Sequence, residues 1–186
     1  MLIGLDFDGV IVDHSEHKLQ LARELGYELE PWQTNTNIMK KFVSESEYRG
    51  IQEKIYTELS LVAPPIAEAL EHIRQLGGEP LILSARRSDT VQHALQWMKQ
   101  HDLFEVIPVE RVHFCAKSSQ KGDYCRRLGV EVFLDDKLAV LDVLDSNVKK
   151  FLFDHHDSVR QSGLAHPHQV ISGWAEFVNT LERVRA

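Results

Sequence analysis

The residues that could do chemistry in this 186-residue chain come first in acidic pairs. Asp6 and Asp8 stand two residues apart at the end of the apolar run Leu2 to Leu5, with Phe7 between them and Gly9 after. On an extended segment that spacing points both side chains to the same side. Like charges roughly 4 Å apart repel by about 4 kcal/mol at an effective dielectric of about 20. A bound cation, or a raised pKa on one acid, relieves the repulsion. Gly9 lets the backbone turn sharply or approach a ligand. A second pair, Asp135 and Asp136, closes the run Val130 to Leu134, apolar except for Glu131. Adjacent residues point in different directions, so one of these acids is expected to reach a metal directly and the other through water or a supporting hydrogen bond. A hydroxyl, Ser84, ends a third apolar run, Pro80 to Leu83. Behind it Arg86 and Arg87 offer forked donors to a phosphate, or else form a solvated helix entry.

These residues need strands that end side by side. The run Leu2 to Leu5 reads as a strand buried on both faces. Strands are also expected at residues 80–84, 111–115 and 130–134, and at 148–153 as the last core strand. Amphipathic helices alternate with them: one from Pro64-Pro65 to Leu76, one capped by Ser88 or Asp89, one over 119–128, one over 138–144, and a final one capped by Ser172. That alternation predicts an α/β fold, a Rossmann-like parallel sheet with helices on both faces. Ligands in such sheets bind beyond the carboxyl ends of the strands, near a topological switch point. Residues 14–63 differ in character. Ser15 is expected to cap a helix that runs to Gly26, the polar run Gln33 to Asn37 reads as a loop, and Ser44 with Glu47 forms a capping box for a second helix. The expected division is a core of 1–13 plus 64–186 and a small helical unit of 14–63 inserted after the first strand.

The string Asp6-Phe7-Asp8-Gly9-Val10 resembles the first motif of the haloacid dehalogenase-like (HAD) superfamily, which consists mostly of phosphohydrolases. Leu83-Ser84-Ala85-Arg86 is similar to its second motif and Leu134-Asp135-Asp136-Lys137 to its fourth. The resemblance spans essentially the whole chain and carries several implications. Asp6 is the nucleophile and Asp8 the general acid/base. Ser84 binds the transferring phosphoryl group. Mg2+ is held by Asp6, the Asp8 carbonyl and Asp136, with Asp135 as helper. The third motif is a lysine upstream of the fourth, and Lys121 and Lys117 both qualify by position; Lys121 is preferred as catalytic, with Lys117 and Arg86 left to bind substrate. The insertion would be a cap over the site. The implied activity is magnesium-dependent hydrolysis of a small phosphomonoester through an aspartyl-phosphate. Cap length and the Leu-Ser-Ala-Arg string look like the deoxyribonucleotidase-type branch, which makes a nucleotide one candidate substrate. A phosphomutase and a non-catalytic protein that binds a phosphorylated ligand stay open as alternatives.

Composition narrows the partners. The net charge of −7 disfavours a nucleic-acid-binding surface. No apolar run approaches the roughly 20 residues of a membrane helix. The first residues carry no basic region and are interrupted by Asp6 and Asp8, so a signal peptide is not expected and a cytoplasmic location is. Cys115 and Cys125 lack metal-like spacing and read as free thiols. His155-His156 and His166-Pro167-His168 fall in an expected loop, where their spacing matches no closed zinc site.

Overall fold

The computed structural model describes residues 1–185. Six strands form one sheet, all parallel: β1 Leu2–Leu5, β2 Glu79–Ala85, β3 Val112–Cys115, β4 Val132–Asp135, β5 Lys149–Phe153 and β6 Gln169–Ile171. Their order is β3-β2-β1-β4-β5-β6, so the chain winds outward in one direction from β1 and then in the other from β4. The switch point lies between β1 and β4, where the two acidic pairs end their strands. Register aligns those ends: Leu5 pairs with Ile82 on one side and Leu134 on the other. The ladder continues one step further, with the Asp6 N–H donating to the Leu134 carbonyl at 2.9 Å.

The strands are continuous apolar runs because each face is buried. Alternate residues Ile3, Leu5, Ile82, Val132, Leu134, Phe151 and Phe153 join one core. Leu81, Leu83, Phe133 and Leu152 join another on the opposite face. Helices α4 (Ala69–Gln75), α5 (Val91–Gln100) and α9 (Trp174–Arg185) cover the first face through Ala69, Ile73, Trp97, Trp174 and Phe177. Helices α6 (Lys121–Leu128) and α7 (Leu138–Leu141) cover the second through Cys125, Val140 and Leu141. Both cysteines are buried and free. No helix among the described residues is long and apolar enough to cross a membrane.

Between β1 and β2 lie α1 (Ser15–Glu24), α2 (Thr36–Met39) and α3 (Glu45–Tyr56), which share a small core of their own around Leu21, Met39, Tyr48, Ile51 and Ile55. No strand forms within residues 14–63, as the sequence predicts. The two ends of this segment are zipped together. Asp13 N–H donates to Pro64 O at 2.9 Å and Ile66 N–H to Ile11 O at 2.8 Å.

Several sequence expectations are corrected. Ser15 is the first residue of α1 rather than its cap; its N–H is held instead by Asp13 Oδ1 at 2.8 Å. The polar run 33–37 is not a loop throughout, because Asn35 caps α2 through Asn37 N–H at 3.1 Å. The Ser44–Glu47 capping box forms in both directions. Pro65 is spent on an antiparallel bridge to Val12, so α4 starts only at Ala69. Thr90, not Ser88 or Asp89, precedes α5, and Asp89 pairs with Arg87. Strand β5 is not the last: β6 adds an edge strand after the short helix α8 (Ser158–Ser162). Ser172 lies one residue before the α9 N-cap position, its N–H and Oγ both donating to Glu176.

Trp97 joins three of these parts. Its indole is fully buried, meets the Phe7 ring edge-on at 5.3 Å, and donates to Ala63 O at 2.8 Å. Trp97→Phe keeps most of the ring but leaves that carbonyl without its indole donor. The expected loss is about 1–3 kcal/mol in urea unfolding, with an unchanged denaturant slope.

Candidate active site

Asp6 ends β1 with 2% of its surface exposed. Its Oδ1 accepts from the Phe7 N–H at 2.7 Å and lies 2.8 Å from the Lys121 ammonium. Lys121 is the first residue of α6 and is itself 1% exposed. The same Nζ donates to Asp135 Oδ2 at 2.7 Å, at the end of β4. Burial alone would depress the Lys121 pKa, but Asp135 and Asp6 outweigh it and hold the ammonium above its ordinary range. Next to Lys121, Gly122 lets α6 pack closely on the 138–144 segment: a Cβ there would stand 2.6 Å from Val143 O.

The second acidic pair divides as its geometry dictates. Both oxygens of Asp135 are used by the protein: Oδ2 by Lys121, and Oδ1 by the Lys137 N–H at 2.9 Å. Burial and the Asp6 charge push its carboxyl up, against Lys121. Asp136 is also pushed up, by burial first and then by Asp6, against Lys137. Its Oδ1 is buried and has no hydrogen-bond partner. Carboxylate oxygens of Asp6, Asp135 and Asp136 lie within 4.8 Å of one another, a set that could hold a metal ion. Gly9 fits beneath this group with φ +89°, and a Cβ there would lie 2.6 Å from Asp136 Oδ2.

Asp8 sits in opposite surroundings. Arg86 grips both of its oxygens, Nη2 to Oδ1 at 2.5 Å and Nε to Oδ2 at 2.9 Å. His14 Nε2 is 2.8 Å from Oδ1, and Ser84 Oγ donates to Oδ2 at 3.3 Å. Burial would raise the Asp8 pKa, but the Arg86 charge and the His14 bond prevail and hold its carboxyl well below the usual range. Arg86 is 2% exposed, between the rings of Phe7 and Tyr56, and also donates to Ser60 Oγ and to the carbonyls of Tyr56 and Thr90. The sequence expects Arg86 to bind substrate; in the fold every arm of its fork is engaged inside the protein, and it clamps Asp8. Arg87 faces solvent and pairs with Asp89.

The two candidate lysines separate by burial. Lys121 meets the acids, whereas Lys117 is exposed beyond β3, with its backbone N–H on Gln120 Oε1 at 3.0 Å. Beside Asp8 and Asp136 a cavity opens toward the helical segment, lined among others by Lys18, Thr34, Asn35, Tyr56 and His156. Asn35 Nδ2 donates to the Asp136 carbonyl at 3.3 Å. Sequence reasoning missed His14, Lys18, Asn35 and Ser60. None stands in a recurring spacing, and each reaches the site only through folding of the insertion.

Two buried carboxylates depend on one ammonium here. Lys121→Met removes it while preserving bulk, and should cost about 3–5 kcal/mol in urea unfolding at neutral pH without added metal. Adding Asp6→Asn to that variant should recover part of the loss; if the double variant is less stable still, the charges are not what couples these residues.

No protein-family model matches the chain. Over 191 residues it is 24% identical to Putative nucleotidase OB0422 of Oceanobacillus iheyensis, covering 96% of this chain and 97% of that one. A haloacid dehalogenase-like protein of Agrobacterium tumefaciens superposes with a TM-score of 0.70 at 15% identity, covering 100% of this chain and 99% of the other. A HAD family hydrolase from Deinococcus radiodurans, solved with bound phosphate and sodium, gives 0.62 at 14% identity over 99% and 96% of the two chains. At these identities the likeness is one of architecture, and the architecture of this chain is the haloacid dehalogenase-like fold.

Proposed function

We propose that this protein is a magnesium-dependent phosphomonoester hydrolase that works through an aspartyl-phosphate on Asp6. The observation that carries the reading is the Lys121 bridge between Asp6 and Asp135, with Asp136 beside it, at the switch point of a parallel sheet. Phosphoryl transfer asks for a carboxylate nucleophile, a nearby fixed cation for the equatorial oxygens, and a site for a divalent ion. The residues present fit magnesium: the donor set is all oxygen, and Asp136 Oδ1 is buried with no partner. Asp6, the Asp8 carbonyl and Asp136 would hold the ion, with Asp135 fixed behind them by Lys121 and the Lys137 N–H. Bound there, it offsets the repulsion between carboxylate and phosphate.

The chain's own groups then divide the work. The bonds from Lys121 and Phe7 both fall on Asp6 Oδ1 and orient the carboxylate for attack on phosphorus. Lys121 and the Ser84 hydroxyl stabilise charge on the phosphoryl oxygens. Asp8 protonates the leaving oxygen and then takes a proton from the hydrolytic water. As placed, Asp8 is held as a carboxylate by Arg86 and His14, so it acts as an acid only after its carboxyl turns out of the Arg86 fork and gains a proton. The cavity lined by Lys18, Thr34, Asn35, Tyr56 and His156 takes the leaving group, and the helical segment serves as the cap that walls it. The nucleotidase name of the Oceanobacillus relative makes nucleotides the first substrate class to test.

The test is inorganic phosphate release from p-nitrophenyl phosphate and a panel of nucleotides and sugar phosphates, with and without magnesium. Turnover that requires magnesium, and falls by at least about 10³-fold in Asp6→Asn, is expected. Phosphate release unchanged in Asp6→Asn refutes the nucleophile. A phosphorylated isomer in place of free phosphate identifies a mutase, and no turnover at all makes the protein a binder. Gly9→Ala should lower kcat and raise the magnesium concentration needed for half-maximal rate, because its Cβ displaces Asp136.

A further inference from the structure

A second group of metal-type side chains lies apart from the acidic one. Asp13, His155 and His156 each offer one ligand atom, and these atoms lie within 4.8 Å of one another. Asp13 Oδ2 is 3.7 Å from His155 Nε2, and Asp13 Oδ1 is 4.0 Å from His156 Nε2. Both separations are too long for a hydrogen bond. Both are near the roughly 3.4 Å edge of a tetrahedron drawn at the 2.0–2.1 Å bond lengths of imidazole and carboxylate to zinc. His155 Nε2 is buried and has no hydrogen-bond partner. With a protonated imidazole these are loose ion pairs, and with a neutral one the buried ring nitrogen faces the carboxylate across a gap that a cation between them would fill.

The three side chains are held in place by ordered backbone. Asp13 stands at the zipped neck of the insertion, its N–H on Pro64 O and its Oδ1 on the Ser15 N–H. The two histidines sit in the turn that follows β5. Asp154 ties that turn, accepting from the Ser158 and Val159 N–H groups at 2.8 Å each, and its own N–H reaches Ile171 O at 2.8 Å. The histidine rings lie 3.9 Å apart, and His155 stacks on Phe153. His156 Nε2 is 2.7 Å from Ser15 Oγ, a bond that an ion would take over.

We infer that Asp13, His155 and His156 form a binding site for a divalent transition ion of the zinc class, separate from the oxygen-only site of Asp6, Asp135 and Asp136. Two imidazoles select such an ion over magnesium, and three protein ligands leave a position open for water or an anionic ligand. Adjacency in sequence hides the site: His155-His156 matches no zinc spacing, because its third ligand comes from the far end of the first loop. The site shares a cavity with Asp8 and Asp136, so an ion bound there borders the space that any ligand of the pocket must enter.

The experiment uses the full chain without a histidine tag, in excess magnesium. Equilibrium dialysis should show one zinc ion retained per chain, and cobalt should give the visible absorption of a low-coordinate nitrogen- and oxygen-ligated ion. His155→Asn with His156→Asn should abolish the cobalt band and weaken zinc binding by at least about tenfold, with an unchanged far-ultraviolet circular dichroism spectrum. If that double variant does not fold, Asp13→Asn carries the same expectation. Asp6→Asn with Asp136→Asn should keep the band. No retained zinc in the native chain overturns the inference, and so does retention that survives the loss of the histidines or is lost with Asp6 and Asp136. None of these outcomes depends on phosphate release, so the site and the hydrolase reading fail separately.

Discussion

Everything at the switch point depends on one ammonium. β1 and β4 are neighbours, and each ends in a buried carboxylate, Asp6 at 2% exposure and Asp135 at 0%. Without a fixed positive charge between them the two strand ends would repel, or one acid would have to stay protonated. Lys121 supplies that charge from the start of α6, reaching both acids at 2.7–2.8 Å. A short 3-10 turn at Ser118–Gln120 leads the chain in, and Gly122 admits the Val143 carbonyl to a distance no side chain would tolerate.

The neighbouring acid Asp8 is only two residues from Asp6, yet its surroundings push the other way. A forked guanidinium and a histidine lower its pKa, while burial and the Asp6 charge raise those of Asp135 and Asp136. Carboxyl groups in one site whose proton affinities are driven apart can take different roles. Arg86 also ties this separation to the insertion. The guanidinium that grips Asp8 donates to the Tyr56 carbonyl and the Ser60 hydroxyl, so the polar state of Asp8 and the seating of the helical segment are set by the same group.

The parts legible in the sequence were those written in local pattern. Apolar runs ending in acids placed β1 and β4, and Ser84 marked the end of β2, because strands buried on both faces need such runs and polar ends stand out against them. Lys121 could be narrowed to one of two lysines by position alone, but only burial separates it from Lys117. What stayed hidden was short or distant. β6 has three residues and only Ile171 is buried, too little for a period to show. α2 is a single turn made possible by the Asn35 cap, in a stretch whose polarity otherwise reads as loop. Arg86 is 78 positions from Asp8, and a motif that ends in arginine cannot say whether the fork faces outward to a phosphate or inward to an acid.

The balance of charge also says where a foreign cation would be accepted. Asp6 and Asp135 are satisfied by Lys121, Asp8 by Arg86 and His14, and Asp135 Oδ1 by a backbone N–H. Among the described residues, Asp136 Oδ1 is the carboxylate oxygen that is buried with nothing bonded to it. Its backbone is fixed by Asn35 on one side, and its Oδ2 lies over Gly9 on the other. A buried anionic oxygen in that position costs several kcal/mol unless it is neutralised. Asp136 faces the cavity while Asp135 faces inward to Lys121. Lys121 thus serves the inner acids, while Asp136 feels the Lys137 and Lys18 charges with no hydrogen bond on its Oδ1 and faces the cavity. Under the proposed hydrolase reading, Asp136 is the acid on which an incoming cation would settle.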